Sequence, residues 1–501
     1  MAEADILLNP NPVVRFLNKP PELFTRDDII RFIEENGIEM LNFRYVAEDG
    51  KLKTLNFVIT SKKHLESILS DGERIDGSQM FSFIEAGASD LYVIPRYRTA
   101  FINPFADVPT LDILCSFYAS NGRPLENAPE YMLRKAHEAF RRETGCTFKA
   151  LGELEYYVIS EKEALYPGID QKGYHASEPF AKWEGFRNEA LRLVAQAGGK
   201  VKYGHSEVGC FTDDSRLYEQ HEIEFLPVPV EDAVDQLVIA KWILRMLGYR
   251  YGVEVSFAPK ITVGKAGSGM HFHMMVERDG RNIMVEDGVL SDTARKMIAG
   301  ILDLAAALTA FGNTIPISYL RLVPHQEAPT KICWGDRNRS VAVRVPLGWV
   351  GASGMICDAN NHDCIVDADE PGKQTIEFRV PDGSAEPYTL VAGLVVASLH
   401  GIRMSDGLKR AEELYVSGNI SGPEYAGQLA RLHHLPGSCY ESAEALEAVR
   451  ACFEKDGIFP KGMIDARIQK LKAFNDRGLS ERILSDEDAV RALVKEYLHV
   501  M

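Results

Sequence analysis

Three segments of the 501-residue chain place two ionisable side chains two residues apart inside an otherwise apolar run: Glu153-Leu154-Glu155, His271-Phe272-His273 and Glu377-Phe378-Arg379. Each run reads as a β-strand, where side chains alternate faces, so both members of a pair point the same way. One such pair is ordinary on a half-wet antiparallel sheet. Three of them, built from Glu and His rather than Lys, Thr and Ser, ask for chemistry. Glu207 in His205-Ser206-Glu207 and Glu222 in Gln220-His221-Glu222 extend the set. Converging carboxylates raise one another's pKa unless a cation lies between them. Five Glu with a single His among the ligands suit a hard ion such as Mg²⁺ or Mn²⁺ better than thiolate-bound zinc. From spacing alone, a metal site and a solvated sheet face stand level.

A basic group follows. Arg321, Arg337, Arg339 and Arg344 fall within 24 residues, between apolar stretches. Guanidinium groups grip carboxylate and phosphate through paired, planar hydrogen bonds. Beside a divalent ion they read as a clamp for a polyphosphate and an acidic substrate. For Arg337 alone a surface ion pair is the better reading. Glu327, six residues after Arg321, falls on a loop able to close over such a site. Gly264 to Met270 runs directly into the His pair; it lacks the G-K-[ST] of a P-loop and the βαβ frame of a dinucleotide fingerprint. Its position before His271 favours a part in the site over a plain turn.

The elements that must carry these residues are legible in outline. Thr25 to Asn36 reads as a capped helix, and Met40–Ala47 and Leu52–Ile59 as strands joined by the turn Glu48-Asp49-Gly50-Lys51. A helix from near Lys63 and strands at Leu91–Pro95 and Thr110–Ala119 complete a small α+β domain, placed at residues 20–120. From Pro129 a long helix leads into strands and helices that alternate to near residue 400. The last hundred residues are mostly helical, for example Ser442–Phe453 and Pro460–Phe474, so a catalytic domain is placed at 125–501. The segment up to about Pro21 has little periodicity and is expected to wrap over a surface.

Composition narrows the class. A formal net charge of −16 argues against nucleic acid or an anionic membrane as the main partner. No run approaches the roughly 20 apolar residues of a membrane span, and Tyr388–Leu399 reads as a buried helix. The N-terminus has no secretory pattern, and the eight cysteines show no C-x-x-C spacing and need no disulfide framework. A reduced, cytoplasmic setting is expected. Asn361-His362-Asp363-Cys364 reads as a polar loop rather than a metal cluster.

The series resembles, in order from about Asp76 to Tyr388, the type I glutamine synthetases. Ile75-Asp76-Gly77-Ser78 is similar to the family's Asp-Gly-Ser loop. Glu153-Leu154-Glu155, Glu207 and Glu222 are similar to its metal segments, and Gly267-Ser268-Gly269-Met270-His271-Phe272-His273 to its Gly-Ser-Gly-Met-His-x-His signature. Arg321 to Pro329, Asn338-Arg339-Ser340 and Ile376-Glu377-Phe378-Arg379 are similar to its glutamate, ATP and last metal segments. The resemblance implies a β-grasp-like N-terminal domain and a catalytic domain with a curved antiparallel sheet and a helical C-terminal section. It implies ATP-dependent ligation of ammonia to glutamate through a γ-glutamyl phosphate, with ATP as co-substrate and two or more Mg²⁺ or Mn²⁺ ions per site. One ion would lie on Glu155, Glu207 and Glu222, the other on Glu153, His271 and Glu377. Arg321 and Arg379, with Gly267, would bind glutamate, and Arg339, Arg344 and His273 the ATP phosphates. Asp76 of a neighbouring subunit, with Glu327 and Tyr174, would bind ammonium and take its proton. A homo-oligomer of two stacked six-membered rings is implied.

The rim departs from the family pattern. Ala266 stands where the family has Asn, Gln79 where it has a second Ser, Met275 where it usually has Ser, and Glu386 where it usually has Asn; the segment 372–375 has a single basic residue, and the loop around Asp213, Asp214 and Arg216 is enlarged. These changes keep two alternatives open: a γ-glutamyl ligase for an organic amine such as a polyamine or amino alcohol, and a non-catalytic ligand-binding ring protein. Tyr415 lies near where some bacterial relatives carry an adenylylated Tyr, in a different local context.

Overall fold

The structure, a computed structural model, describes residues 3–84, 89–323, 328–348, 355–361, 371–418, 427 and 431–499. Its first sheet is built from β1 (Met40–Val46), β2 (Leu52–Val58), β3 (Glu73–Asp76), β4 (Asp90–Pro95), β5 (Phe101–Ile102) and β6 (Thr110–Ala119), in the order β2-β1-β6-β4-β3 with β5 on β6. Only β1 and β6 run parallel. The helix Arg26–Glu35 begins at Thr25, whose side chain and that of Asp28 form a reciprocal capping box. Its Ile29, Ile30, Phe32 and Ile33 pack with Leu65, Ile68 and Leu69 of the helix Lys62–Asp71 over the sheet face that carries Leu41 and Phe43.

The opening segment departs from expectation. Glu3–Leu7 and Pro12–Leu17 are short helices, the second capped by Asn11 and burying Val13, Val14 and Leu17 in the same core. Six residues are too few for a periodic signal or for an isolated helix; the contact with the domain makes this one.

The second sheet carries the site. Its strands are β7 (Thr147–Glu161), β8 (Val201–Thr212), β9 (Arg216–Phe225), β10 (Val228–Pro229), β11 (Glu254–Ser256), β12 (Met270–Arg278), β13 (Arg281–Asn282), β16 (Trp334–Asp336), β17 (Val343–Val345) and β18 (Ile376–Phe378), while β14 (Val285–Glu286) and β15 (Val289–Leu290) form a separate hairpin. The main path is β16-β17-β18-β12-β7-β9-β8. The long helix Val230–Tyr251 covers one face, and Leu237 packs so closely on Gly152 that no Cβ would fit there. The helix Pro387–Arg403 is buried along almost its whole length and meets the helix Asp292–Asp303 where Gly401 and Gly300 touch backbone to backbone. Each large aliphatic side chain so buried contributes about 1.5–3 kcal/mol. Among the described residues no single helix is long and apolar enough to cross a membrane.

The C-terminal section is helical, with Cys439–Glu454, Lys461–Ala473 and Glu487–Tyr497; Val490 and Val494 of the last helix pack against Tyr157 and Ile159 of β7. Cys357 is disulfide-bonded, although the cysteine pattern asks for no disulfide framework, whereas Cys115, Cys146, Cys210, Cys333, Cys439 and Cys452 are free. Five of those six thiols are buried, so packing accounts for them.

Candidate active site

Strand register gathers the ionisable side chains on one face. Glu153 on β7 stands opposite His271 on β12, and Glu155 opposite Glu222 on β9. His205 on β8 faces Glu222, and His273 faces Glu377 on β18, which in turn faces Arg344 on β17. The pairs read from sequence therefore form adjoining rows across β17-β18-β12-β7-β9-β8. Glu207 joins them from an irregularity in β8, where the register shifts between Ser206 and Cys210.

The distances are short. Glu153 Oε2 lies 3.0 Å from His271 Nδ1, and Glu153 Oε1 lies 2.8 Å from His273 Nε2. His271 is 3.8 Å from both Glu155 and Glu377. Among the described residues, two trios bring three ligand atoms within 4.8 Å of one another: Glu153, His273 and Glu377, and His205, Glu207 and Glu222. The first has His273 where His271 is expected, and the second has His205 where Glu155 is expected. In the sequence His205 reads only as a neighbour of Glu207; its place two residues before that Glu is the available signal.

The cationic wall is as close. Arg344 Nη1 donates to Glu377 Oε2 at 2.8 Å, and Arg379 donates to the other oxygen of the same carboxylate. Arg321 Nη2 lies 3.1 Å from His271 Nε2, while its Nη1 donates to the Val380 carbonyl at 2.9 Å. The glycines are explained by this wall: a Cβ on Gly269 would collide with His271 and Arg321, and one on Gly267 with the Pro259 carbonyl. Gln220, not singled out from sequence, donates to Glu155 at 3.1 Å and to the Gly267 carbonyl at 3.0 Å, tying β9 to the glycine loop. Glu153, Glu155, Glu207, Glu222, Gly267, His271, Arg321, Arg339 and Arg379 line one cleft with Ala266.

The electrostatics ask for cations. Burial, then repulsion from Glu153, Glu155, Glu207 and Glu224, pushes the Glu222 carboxyl well above its ordinary value. Burial and Glu207 raise Glu155. Burial opposes ionisation of Glu153 as well, yet His273 and His271 hold its carboxyl well below the usual range. For Glu377, burial is outweighed by Arg379 and the two imidazoles, and its pKa falls. On one side of the cleft imidazole and guanidinium groups hold the carboxyls ionised, while on the other burial and mutual repulsion raise Glu155 and Glu222. An all-oxygen and imidazole donor set of this kind fits a hard divalent cation.

Two models of one family match the chain: "Glutamine synthetase, beta-Grasp domain" over residues 37–120 and "Glutamine synthetase, catalytic domain" over 126–476. The chain belongs to the glutamine synthetase family. The glutamine synthetase of Frankia alni is 28% identical over 486 residues, covering 89% of this chain and 95% of that protein. That of Clostridium saccharobutylicum is 28% identical over 433 residues, covering 85% and 89%. The cryo-EM structure of Plasmodium falciparum glutamine synthetase superposes with a TM-score of 0.73 at 20% identity, over 91% of this chain and 96% of that one. The fold is accordingly the α+β glutamine synthetase fold, with a β-grasp domain ahead of a catalytic domain built on a curved sheet.

Other residues singled out by sequence stand apart from the cleft or at its rim. Asp76 is exposed at the end of β3, its carboxylate accepting from Ser78 N and Oγ at 3.0 and 2.7 Å, and it does not line the cleft of its own chain. Tyr174 is also exposed, its ring 4.3 Å from that of His175 and 5.4 Å from that of His205. Glu327 lies outside the described residues, as do His362 to Cys364. Of the departures from the family pattern, Glu386 has a plain structural role, since it accepts from Tyr388 N and Thr389 N and caps the helix Pro387–Arg403. The enlarged loop is a hairpin in which Asp213 accepts from Ser215 N and Arg216 N. Tyr415 packs on Trp334 and donates to Asp336 at 3.0 Å.

Proposed function

We propose that the protein joins ammonia to the side-chain carboxylate of glutamate, driven by ATP, through a γ-glutamyl phosphate, giving glutamine, ADP and phosphate. The observation that carries this reading is one cleft in which a cluster of buried, mutually repelling carboxyls meets a guanidinium wall. Glu153, His271 and Glu377 would hold one divalent ion and Glu155, Glu207 and Glu222 the other, with His205 and His273 in reach; bound there, Mg²⁺ or Mn²⁺ supplies charge neutralisation for phosphoryl transfer.

The chain's own residues do the rest. Arg321 and Arg379 orient the glutamate carboxylates, and Gly267 leaves them room. Arg339 has no hydrogen bond or ion pair among the described residues and faces the cleft, free to take up charge on the transferred phosphoryl group. Arg344 Nε and Arg379 Nε are buried without a partner, two donors waiting for an acceptor. His273, fixed by Thr375 Oγ1 at 2.8 Å, holds a phosphate oxygen when protonated. Asp76 of a neighbouring chain, with Glu327 and Tyr174, binds ammonium and takes its proton, because only the neutral amine attacks the acyl phosphate. The Glu327 segment keeps water from the intermediate. The site is then shared between chains, in the double six-membered ring implied by the resemblance.

One observation favours a second reading. The rings of Tyr174, His175 and His205 pack tilted and edge-on beside Glu207 and Glu222, and Tyr174 is 49% exposed, an aromatic surface suited to the carbon body of an organic amine. Phosphate release and product formation with glutamate, ATP and Mg²⁺ across ammonia, an amino alcohol and a polyamine separate the two. Fastest turnover with ammonia supports the first reading; turnover with organic amines alone replaces it with the second, and no turnover with any amine removes both.

A further inference from the structure

A second and larger cavity, of about 680 Å³, opens between the two domains and shares no lining residue with the catalytic cleft. One wall is the helix Pro129–Thr144, from which Glu130, Arg134, His137 and Arg141 all line the cavity. Steps of four, three and four residues put them on a single helix face. A helix caught between two domains ordinarily turns only apolar side chains inward. This one buries Met132, Leu133, Ala136 and Phe140 elsewhere and shows the cavity a charged stripe. Aromatic rings line the cavity as well: Phe24, Tyr97, Phe117 and Tyr118.

Most of the charge here is already matched. His137 Nδ1 lies 2.9 Å from Glu231, and its Nε2 accepts from Phe148 N at 3.1 Å, so both ring nitrogens are engaged. Glu130 accepts from Phe117 N at 2.9 Å, and burial lifts its carboxyl to about 7. Arg96 is held by Asp235 at 2.7 and 2.9 Å, and Arg98 is paired with Asp232. Two guanidinium groups have no hydrogen-bonded acidic partner among the described residues. Arg141 makes no side-chain hydrogen bond or ion pair among the described residues. Arg134 lies over the Tyr131 ring at 4.6 Å and 3.7 Å from Glu138, too long for a hydrogen bond, and its Nε is buried without a hydrogen-bond partner.

We propose that this cavity is a second ligand site, taking a small organic anion with a flat apolar body. Its phosphate or carboxylate lies against Arg134 and Arg141, and its body against the aromatic rings. The volume falls in the roughly 300–1,000 Å³ of small-molecule sites, which favour domain interfaces. Paired guanidinium donors suit either oxyanion, and offset aromatic stacking suits the body. The cavity is also linked to the catalytic sheet through the helix behind it. Glu231 and Asp235, the partners of His137 and Arg96, sit on the helix Val230–Tyr251, whose Leu237 packs on Gly152 next to Glu153.

The test titrates the full-length protein in its native assembly with phenyl phosphate, phenylacetate, inorganic phosphate and phenol by calorimetry. An aromatic anion should bind once per chain, more tightly than phosphate or phenol. Its affinity for Arg134→Gln/Arg141→Gln should be weaker by at least roughly tenfold, or about 1.4 kcal/mol. Arg141→Gln alone, at an exposed position, controls for misfolding and should lose part of that affinity. Mg²⁺ binding should be the same in all three proteins, since neither Arg lies in the catalytic cleft. Failure of both aromatic anions to bind, or equal binding to wild type and double variant, overturns the proposal. So does inorganic phosphate binding as tightly as phenyl phosphate.

Discussion

Glu153 and His271 face one another across β7 and β12, with Glu153 Oε2 3.0 Å from His271 Nδ1. Arg321 Nη2 approaches the other ring nitrogen to 3.1 Å, and a guanidinium can only donate. Nδ1 is thus the ring nitrogen of His271 that faces the carboxylates, and Nε2 the one that faces the guanidinium. A one-residue slip of one strand against the other would leave the two side chains on opposite faces of the sheet. Register is thus as much a part of the site as the residues are.

Glu377 is fully buried between Arg344 and Arg379. Ala at this position would strand two guanidinium groups, a cost of about 3–5 kcal/mol, so Gln is the cleaner probe. Glu377→Gln should keep the circular dichroism of the folded chain and lose at least about 100-fold in kcat with Mg²⁺ or Mn²⁺. Steady-state phosphate release across a metal titration checks this, and full retained activity refutes the metal assignment.

Asp76→Ala should leave ATP cleavage faster than glutamine formation, a mismatch seen by measuring phosphate and glutamine in the same sample. Equal loss of both would remove its ammonium role. Chains carrying Asp76→Ala and chains carrying Glu377→Gln, co-assembled one to one, should recover up to about a quarter of wild-type activity if each site draws Asp76 from one chain and Glu377 from another. No recovery would place the site within one chain.

Ala266 lines the cleft, its N–H donating to Gln171 Oε1 at 2.7 Å and its carbonyl accepting from Tyr157 Oη at 2.8 Å. The backbone is pinned, so Ala266→Asn adds an amide to the cleft without moving the loop. KM for glutamate should fall severalfold with kcat nearly unchanged, the pattern of added uniform binding. An unchanged KM would mean that the position does not touch the acid substrate.

Glu130 titrates near 7 when folded, above its ordinary 4.5, because burial disfavours its charge. The folded chain then binds more protons than the unfolded chain between these values, so stability falls as pH rises from about 4.5 to about 7 and levels off above. Each pKa unit of difference corresponds to about 1.4 kcal/mol. Glu130→Gln should flatten that part of the stability curve in urea melts at pH 5, 6 and 7; an unchanged slope would assign it to another group.

Much of the site was legible because strand alternation is a strict rule. Glu153/Glu155, His271/His273 and Glu377/Arg379 pair by face before any partner strand is known. His205 escapes such a reading because its part depends on which strand lies beside it, and β9 brings Glu222 opposite it only in the folded sheet. Glu386 reads in the sequence as a change at the substrate rim; its work as a helix cap follows from where the helix Pro387–Arg403 starts. The two short N-terminal helices carry too few residues to show a period. The interdomain cavity is a property of how two domains meet, which no local pattern encodes.

The central claim is phosphoryl transfer to the glutamate side-chain carboxylate. The measurement that tests it most directly uses glutamate labelled with ¹⁸O in that carboxylate, with ATP, Mg²⁺ and ammonia, and mass analysis of the released phosphate. A γ-glutamyl phosphate intermediate transfers one labelled oxygen to phosphate for each glutamine formed. Glutamine formation with unlabelled phosphate would contradict it.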